Sequence, residues 1–325
     1  MNGKIRVLVT GAELVSAAVE KLSAIGASLT MMSGKVTEQR LIEELAQQPT
    51  QAILMRGNPP VTRAVLEAAP ALRVIAKHGV GVDSVDVAAA TEKGILVMVA
   101  GEANAPAVAE MTLAYILALG RDLETLSGRT KAGQWDRGSY HGNELRGRTL
   151  GVVGFGRTGR RVAQLARCLG LRVIVFTRSP QSVDPAVAET AMSLPALLAE
   201  SDIVSLHCPL TAETRAMMGA EAFAAMKRGA LFINTARGAL VDETALAEAL
   251  QNGQLSGAAL DTLTEEPPAA NHPLLSAPNL LITPHIAGQT RDAVKRMGVA
   301  AAENIVAVLT GAGLNPANVV NPHRQ

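Results

Sequence analysis

Cysteine is nearly missing from this sequence. Cys168 and Cys208 are the only two among 325 residues, far apart and each inside an apolar periodic segment. That usage excludes a disulfide frame and fits reduced, packed thiols in a cytoplasmic protein. An excess of either charge is also missing. The 30 Lys and Arg residues nearly cancel the 29 Asp and Glu, and no Lys/Arg-rich run occurs. Without a long-range field to gather polyanions, nucleic acid and anionic lipid are not expected as partners. Roughly 20 uninterrupted apolar residues, the length that crosses a bilayer, occur nowhere; Glu110, for instance, breaks "APAVAEMTLAYILALG". The opening "MNGKIRVLVTGAELVSAAVEKL" has a short apolar run followed by Gly and an amphipathic pattern, which predicts strand then helix rather than a cleaved leader. Low-complexity tracts and short repeats are absent as well.

What is present is core-forming material: 48% of the residues are hydrophobic, in a chain longer than one typical domain, so two domains are expected. Short apolar runs ("IRVLVT", "AILM", "RVIA", "ILVMV") alternate with helical stripes such as "RLIEELAQQ" and "TRAVLEAA". This alternation predicts an α/β fold with parallel sheets and crossover helices. One long helix is expected over about 105 to 125. The polar, Gly-rich "SGRTKAGQWDRGSYHGNELRGR" then reads as a connection between two sheets, because the alternation restarts at Thr149 with "TLGVVGFG". A final helix, "TRDAVKRMGVAAAENIVAVLTG", precedes a turn-like tail, "LNPANVVNPHRQ".

Gly154, Gly156 and Gly159 form GxGxxG between the strand "LGVV" and a helix whose inward face is expected to carry Val162, Leu165, Ala166 and Leu169. The spacing suits a pyrophosphate. One glycine permits the tight turn, the next admits phosphate to bare backbone, and the third lets helix approach strand. Glycine turns also arise for ordinary steric reasons, and it is the complete strand, turn, helix and second strand that makes this a dinucleotide site. Arg157 and Thr158 follow the turn and are expected near the pyrophosphate.

Where NAD folds commonly place an acid for the adenosine ribose, at the end of the second strand, this chain has Thr177, Arg178 and Ser179. A carboxylate repels a 2′-phosphate, whereas a guanidinium and two hydroxyls bind it. NADP is therefore expected in preference to NAD, with NAD still admissible; the plain alternative leaves Arg178 a solvated loop residue over a site indifferent to the phosphate.

Three later stretches bring chemistry to strand ends. "LFINTARGALVDETAL" places Arg237, "AALDTLTEEPP" places Asp261 and Glu266, and "LLITPHIAGQT" places His285, each after a strand, so all converge on one sheet edge. Singly, each has a dull explanation: an Arg satisfying loop carbonyls, a solvated Glu in a turn before Pro, a structural His. In this order after a GxGxxG unit, they resemble the D-isomer-specific 2-hydroxyacid dehydrogenase family. The resemblance extends over nearly the whole chain through "GVGVDSVDVAAATEKGI", "GQWDRGSYHGNELRGRTLGVVGFGRTG", "SDIVSLHCPLTAETRAMM", "MKRGALFINTARGALVD" and "TPHIAG".

That resemblance implies a catalytic triad of Arg237, Glu266 and His285, and the residue chemistry agrees with it. Reducing a 2-oxo acid needs a hydride to the carbonyl carbon, a proton to its oxygen and an anchor for the carboxylate. Histidine titrates near neutrality and serves as the proton donor. Glutamate on the other ring nitrogen orients it. Arginine offers a planar fork to the carboxylate and carbonyl oxygen. The resemblance also implies that backbone N–H groups at Val80 and Gly81 clasp the substrate carboxylate; otherwise "GVGVD" is a turn before a helix capped by Asp83. Arg56 is placed at the cleft edge, meeting a distal phosphate or carboxylate or forming an exposed ion pair. Thr235, Ala236, Arg237, Asp261 and the loop from His285 to Gly288 surround the nicotinamide, with Asp261 suited to its carboxamide. His207 and Pro209 line the adenosine and nicotinamide-ribose side, or His207 packs a strand end. No metal is expected, since neither His78 nor His141 has a partner at ligand spacing.

The implied architecture is two Rossmann-like or flavodoxin-like parallel-sheet domains with a cleft between them. A discontinuous substrate domain, residues 1 to 99 plus 287 to 325, surrounds a dinucleotide-binding domain, residues 100 to 286. A homodimer is implied through the cofactor domain, with Trp135, the only tryptophan, reaching the partner's cleft or packing within its own chain. Reduction of glyoxylate or hydroxypyruvate to the D-2-hydroxy acid is the activity expected. A short phosphoglycerate dehydrogenase using NAD is the enzymatic alternative, and a dinucleotide-sensing protein like the corepressors built on this fold is the alternative of another class. A formate dehydrogenase is disfavoured because that branch lacks the acid represented here by Glu266.

Overall fold

The computed structural model describes residues 5–135 and 137–321. Two compact units divide the chain: Met1–Asn104 with Gln289–Gln325, and Ala105–Gly288. No helix among the described residues is long and apolar enough to cross a membrane.

The first unit alternates β1 (Arg6–Val9), α1 (Ser16–Ala24), β2 (Ser28–Met31), α2 (Glu38–Gln47), β3 (Ala52–Met55), α3 (Arg63–Glu67), β4 (Val74–Lys77), α4 (Val87–Glu92) and β5 (Leu96–Met98). Its five strands are parallel in the order β2-β1-β3-β4-β5. Strands β1, β3 and β4 are buried along their whole length, as parallel strands covered on both faces must be.

The second unit begins with α5 (Ala105–Gly120) and α6 (Leu123–Lys131). It continues through β6 (Thr149–Val153), α7 (Arg157–Cys168), β7 (Arg172–Phe176), β8 (Glu189–Thr190), α8 (Leu194–Glu200), β9 (Ile203–Leu206), α9 (Ala220–Ala225), β10 (Ala230–Asn234), α10 (Glu243–Gln251), β11 (Leu255–Leu260) and β12 (Leu280–Ile282). Its seven strands run β12-β11-β10-β9-β6-β7-β8, again all parallel. The order reverses between β6 and β9, which opens a crevice at their carboxyl ends where α/β sheets bind ligands.

The chain then returns to the first unit as α11 (Arg291–Thr310). Ala301, Ala302, Ile305 and Val308 of this helix complete the core cluster that contains Val7, Val9, Leu54 and Val74. Beyond it, the expected turn-like tail is a short 3-10 turn, Pro316–Asn318, followed by a stretch that pairs with β5. Val319 bridges Met98 in antiparallel fashion, the N–H of Val99 donates to the Asn318 carbonyl, and that of Val320 donates to Val97. These bonds cover the open edge of the five-stranded sheet, which would otherwise be a template for foreign strands.

Four local expectations are corrected. The single helix over 105 to 125 is two helices, broken where Asp122 turns left-handed at φ 50°; α6 then takes up the first residues of what reads as a loop. On α7 the buried stripe is Gly159, Val162, Ala163 and Ala166, while Leu165 and Leu169 are exposed. Small residues face inward where α7 packs against α5, and the two leucines lie outside the buried core. Cys168, at the end of the same helix, is exposed rather than packed. The cap of α4 is Asp86, which accepts from the Ala89 N–H at 2.8 Å, and not Asp83.

Candidate active site

The glycine turn joins β6 to α7. Gly154 has φ 96°, a conformation glycine adopts freely, and a Cβ there would lie 2.7 Å from the Cys208 nitrogen and the His207 carbonyl carbon. The turn is therefore pressed against the exit of β9. Gly156 caps α7 without a side-chain acceptor, and a Cβ on it would meet nothing within 4 Å. Bare backbone at a helix N-terminus with open space before it fits a pyrophosphate. Arg157, Thr158 and Gly159 form the first turn of α7.

Thr177 follows β7 directly, and the Gly154 N–H donates to the Phe176 carbonyl at 2.8 Å, so glycine turn and strand end adjoin. The Thr177 hydroxyl accepts from the Ser179 N–H at 3.3 Å, while Arg178 and Ser179 are exposed. Across from them, Glu213 is held below the usual carboxylate range by its bond to Thr211 and, secondarily, by Arg178. His207 packs behind the turn, its Nε2 2.9 Å from Ser205 Oγ, and burial pushes its pKa down to about 3. Pro209, two residues on, is exposed.

Arg237, Asp261 with Glu266, and His285 leave the carboxyl ends of β10, β11 and β12, three adjacent strands. His285 Nδ1 lies 2.8 Å from Glu266 Oε2, and the other Glu266 oxygen accepts from the Leu263 N–H at 3.1 Å. His285 has φ 56°, a left-handed conformation that a non-glycine residue keeps only when its surroundings over-determine it. Asp261 does so. Its carboxylate accepts from Thr283 Oγ1 at 2.5 Å and from the N–H groups of Ile286 and Ala287 at 2.8 Å each. Asp261 thus anchors the His285 loop, a duty the sequence does not announce. The loop ends at Gly288, where the unit ends.

The Arg237 segment is held by Asn234, whose amide donates to the Arg237 carbonyl at 2.8 Å and accepts from the Ala236 N–H at 3.0 Å. Arg237 Nη1 donates to the Ala236 carbonyl at 2.7 Å. Helix α5 touches the loops that bear Arg237 and His285: Thr112 Oγ1 is 3.1 Å from Thr235 Oγ1, and the Tyr115 hydroxyl is hydrogen-bonded to Thr283 Oγ1.

In the first unit, Gly79 has φ 145° and precedes Val80, which is 41% exposed, and Gly81. Arg56 donates to the Glu13 carbonyl rather than to an acid. It lines a cavity of about 750 Å³ with Thr10, Gly11, Lys35, Glu38 and Asn58. This cavity opens where the order of the five-stranded sheet reverses, between β1 and β3. Among the described residues, no group of three or more His, Cys, Asp or Glu is placed to hold a metal.

Residues 113–287 match the family model described as the NAD-binding domain of D-isomer-specific 2-hydroxyacid dehydrogenases. The chain belongs to the D-isomer-specific 2-hydroxyacid dehydrogenase family. It is similar to the glyoxylate reductase of Aeropyrum pernix, with 42% identity over 79% of this chain and 78% of that protein. It is also similar to the D-3-phosphoglycerate dehydrogenase of Methanocaldococcus jannaschii, with 40% identity over 94% of this chain and 58% of that protein. In structure it resembles the TT0316 protein of Thermus thermophilus, with a TM-score of 0.87, 39% identity, and coverage of 98% of this chain and 100% of that one. The chain spans 48% to 58% of the length of the D-3-phosphoglycerate dehydrogenases of Methanocaldococcus jannaschii, Archaeoglobus fulgidus and Arabidopsis thaliana that it matches.

Within this 2-hydroxyacid dehydrogenase fold, the sequence reading misses Asn234, Tyr115 and a second His–Glu pair. Glu243, at the start of α10, accepts from the Thr264 N–H at 2.7 Å and lies 3.0 Å from His272 Nε2. It thereby ties down both ends of the segment bearing Glu266. The "VDE" and "NHP" stretches that hold this pair are visible in the sequence, but nothing in their spacing signals the contact.

Proposed function

We propose that this protein reduces a small 2-oxo acid of the glyoxylate or hydroxypyruvate type to the D-2-hydroxy acid, with NADPH preferred over NADH. The observation that carries the reading is the 2.8 Å contact of His285 Nδ1 with Glu266 Oε2, beside the adjacent strand end that bears Arg237. When bound, the reduced nicotinamide supplies a hydride. Glu266 occupies Nδ1 and leaves Nε2 to deliver a proton to the substrate oxygen. Arg237, backed by Asn234, holds the carboxylate and offsets charge on the oxygen. The backbone N–H groups of Val80 and Gly81 serve a substrate carboxylate, which makes the first unit the substrate domain. The groove before Gly156 takes the pyrophosphate, and Thr177, Arg178 and Ser179 take the 2′-phosphate. Asp261 acts on the nicotinamide side by fixing the loop from His285 to Gly288.

A second reading has its own support: Lys35 and Arg56 on one cavity suit a substrate with a distal anion, as in a phosphoglycerate dehydrogenase using NAD. A homodimer through α5 and α6 goes with either reading, since Leu117, Leu123 and Trp135 are 39%, 54% and 79% exposed.

The test follows oxidation of NADPH and NADH with glyoxylate, hydroxypyruvate and phosphohydroxypyruvate. Fastest turnover of the first two with NADPH is expected. Dominance of the phosphorylated acid with NADH supports the second reading. Dinucleotide binding without turnover of any acid overturns both in favour of a sensor. His285→Ala is expected to lower turnover at least about 100-fold, the usual contribution of a positioned proton donor.

A further inference from the structure

Two hydroxyls one helical turn apart on α5 reach the two loops that carry the proposed anchor and proton donor. Thr112 meets Thr235, two residues before Arg237, and Tyr115 meets Thr283, two residues before His285. Positions i and i+3 share a helix face, so one rigid element holds both contacts.

The direction of each bond follows from counting protons, since a hydroxyl has one to give. Thr112 donates its own to the Val108 carbonyl at 2.8 Å, so Thr235 donates to Thr112. Thr283 donates its proton to Asp261, so Tyr115 donates to Thr283. Burial pushes the Tyr115 pKa up to about 12, which keeps the phenol a donor at any working pH. A chain of bonds therefore runs from Tyr115 through Thr283 to Asp261, the residue that also receives the Ile286 and Ala287 N–H groups and maintains the left-handed turn at His285. Chains of this kind polarise and stiffen one another in a buried setting. Thr112 is fully buried and Tyr115 is 5% exposed, so water does not replace either contact readily.

We propose that Thr112 and Tyr115 are positioning residues and that α5 sets the placement of Arg237 relative to His285. This rests on the dehydrogenase reading above. Packing against the sheet would be served equally by apolar side chains at these two places. Hydroxyls whose acceptors and donors lie on the two loops instead transmit the helix position to the anchor and the proton donor, where misplacement by about 1 Å costs up to about 100-fold in rate.

The experiment compares Tyr115→Phe, which keeps the ring and removes only the donor, with Thr283→Val and Thr283→Ser. Imidazole NMR signals are recorded in the protein without dinucleotide; the chain has six histidines, and His285→Gln assigns the relevant one. In Tyr115→Phe and Thr283→Val the His285 signal is expected to move. Turnover should fall about 10-fold, the equivalent of one buried hydrogen bond, with the Michaelis constant for the dinucleotide unchanged. Thr283→Ser is expected to restore both readouts. Thr112→Val should raise the Michaelis constant for the acid and leave the His285 signal in place. An unmoved His285 signal with normal turnover overturns the proposal, even if the melting temperature drops. If Tyr115→Phe does not fold, the contrast between Thr283→Val and Thr283→Ser decides. If the unsubstituted protein turns over no acid, the dehydrogenase reading fails, while the imidazole signal still decides the positioning.

Discussion

Gly238 and Leu263 pass so closely that a Cβ on Gly238 would lie 2.0 Å from the Leu263 carbonyl carbon. The segment after Arg237 and the segment before Glu266 thus meet backbone to backbone, which brings the strand ends of β10 and β11 into one site. In Gly238→Ala, one of these segments must move. The expected destabilisation is about 1 to 3 kcal/mol, as for other overpacked positions, accompanied by a loss of turnover larger than the loss of dinucleotide affinity. Thermal melts and steady-state kinetics check this; unchanged kinetics would show that the close passage does not matter to the site.

The glycine turn separates a folding requirement from a binding requirement. Gly154→Ala imposes a side chain at φ 96° against the backbone of His207 and Cys208, and is expected to cost about 1 to 3 kcal/mol of stability. Gly156→Ala meets nothing in the protein, so its melting temperature should hold. Its dinucleotide affinity should drop about 10-fold, because the methyl stands where phosphate approaches bare backbone. Calorimetric titration with NADPH measures the second effect, and full affinity in Gly156→Ala would place the pyrophosphate elsewhere.

At the end of β7, Thr177→Asp is expected to shift the ratio of NADPH to NADH efficiency toward NADH by roughly 10- to 100-fold, from the loss of charge-assisted bonds to a 2′-phosphate. Kinetics with both dinucleotides read this directly, and an unaltered ratio counts against the assignment. Glu213→Gln should move the ratio the other way, since its carboxylate lies within the electrostatic reach of Arg178.

His78 sets part of the acid sensitivity of the first unit. Burial, reinforced by Arg56 and Lys77, lowers its pKa to about 4, and Nε2 lies 3.1 Å from the Val294 carbonyl on α11. Because the folded value lies below the unfolded value of 6.5, the unfolded chain binds more protons between these limits. Stability is therefore complete above about pH 6.5 and falls as pH drops toward 4, by about 3 kcal/mol for this group alone. His78→Gln should flatten the slope of melting temperature against pH over that interval; a parallel slope in both proteins refutes the assignment.

The strands were legible because buried parallel strands are continuous apolar runs, and "IRVLV", "AILM" and "RVIVF" carry little else. The glycine turn between β6 and α7 was legible because the glycines are themselves its steric requirement: a Cβ on Gly154 or Gly159 would collide with backbone. The break at Asp122 had one sign, Gly120 at the end of α5, but the apolar pattern resumes at Leu123 and masks it. The true cap of α4 was hidden by two aspartates three residues apart. Supporting residues were the least visible: Thr112 and Tyr115 find partners 123 and 168 residues away, Asn234 acts through backbone groups, and Glu243 meets a backbone N–H and a histidine 29 residues on. Leu165 and Leu169 mislead for a related reason, since hydropathy alone does not say which side of a helix its neighbour covers.

The return of α11 has a consequence for biosynthesis. The face of the first sheet that carries Val7, Val9, Leu54 and Val74 is closed by residues of α11, which leave the ribosome roughly 200 residues after α5. At about 5 to 20 residues per second, that interval lasts on the order of 10 to 40 s. Throughout it the N-terminal strands present an apolar surface that only α1, through Ala18 and Leu22, partly covers, while the second unit emerges in one uninterrupted piece. The inserted half is therefore the one able to finish folding during translation, and the outer half is where chaperone attachment to the nascent chain is to be sought.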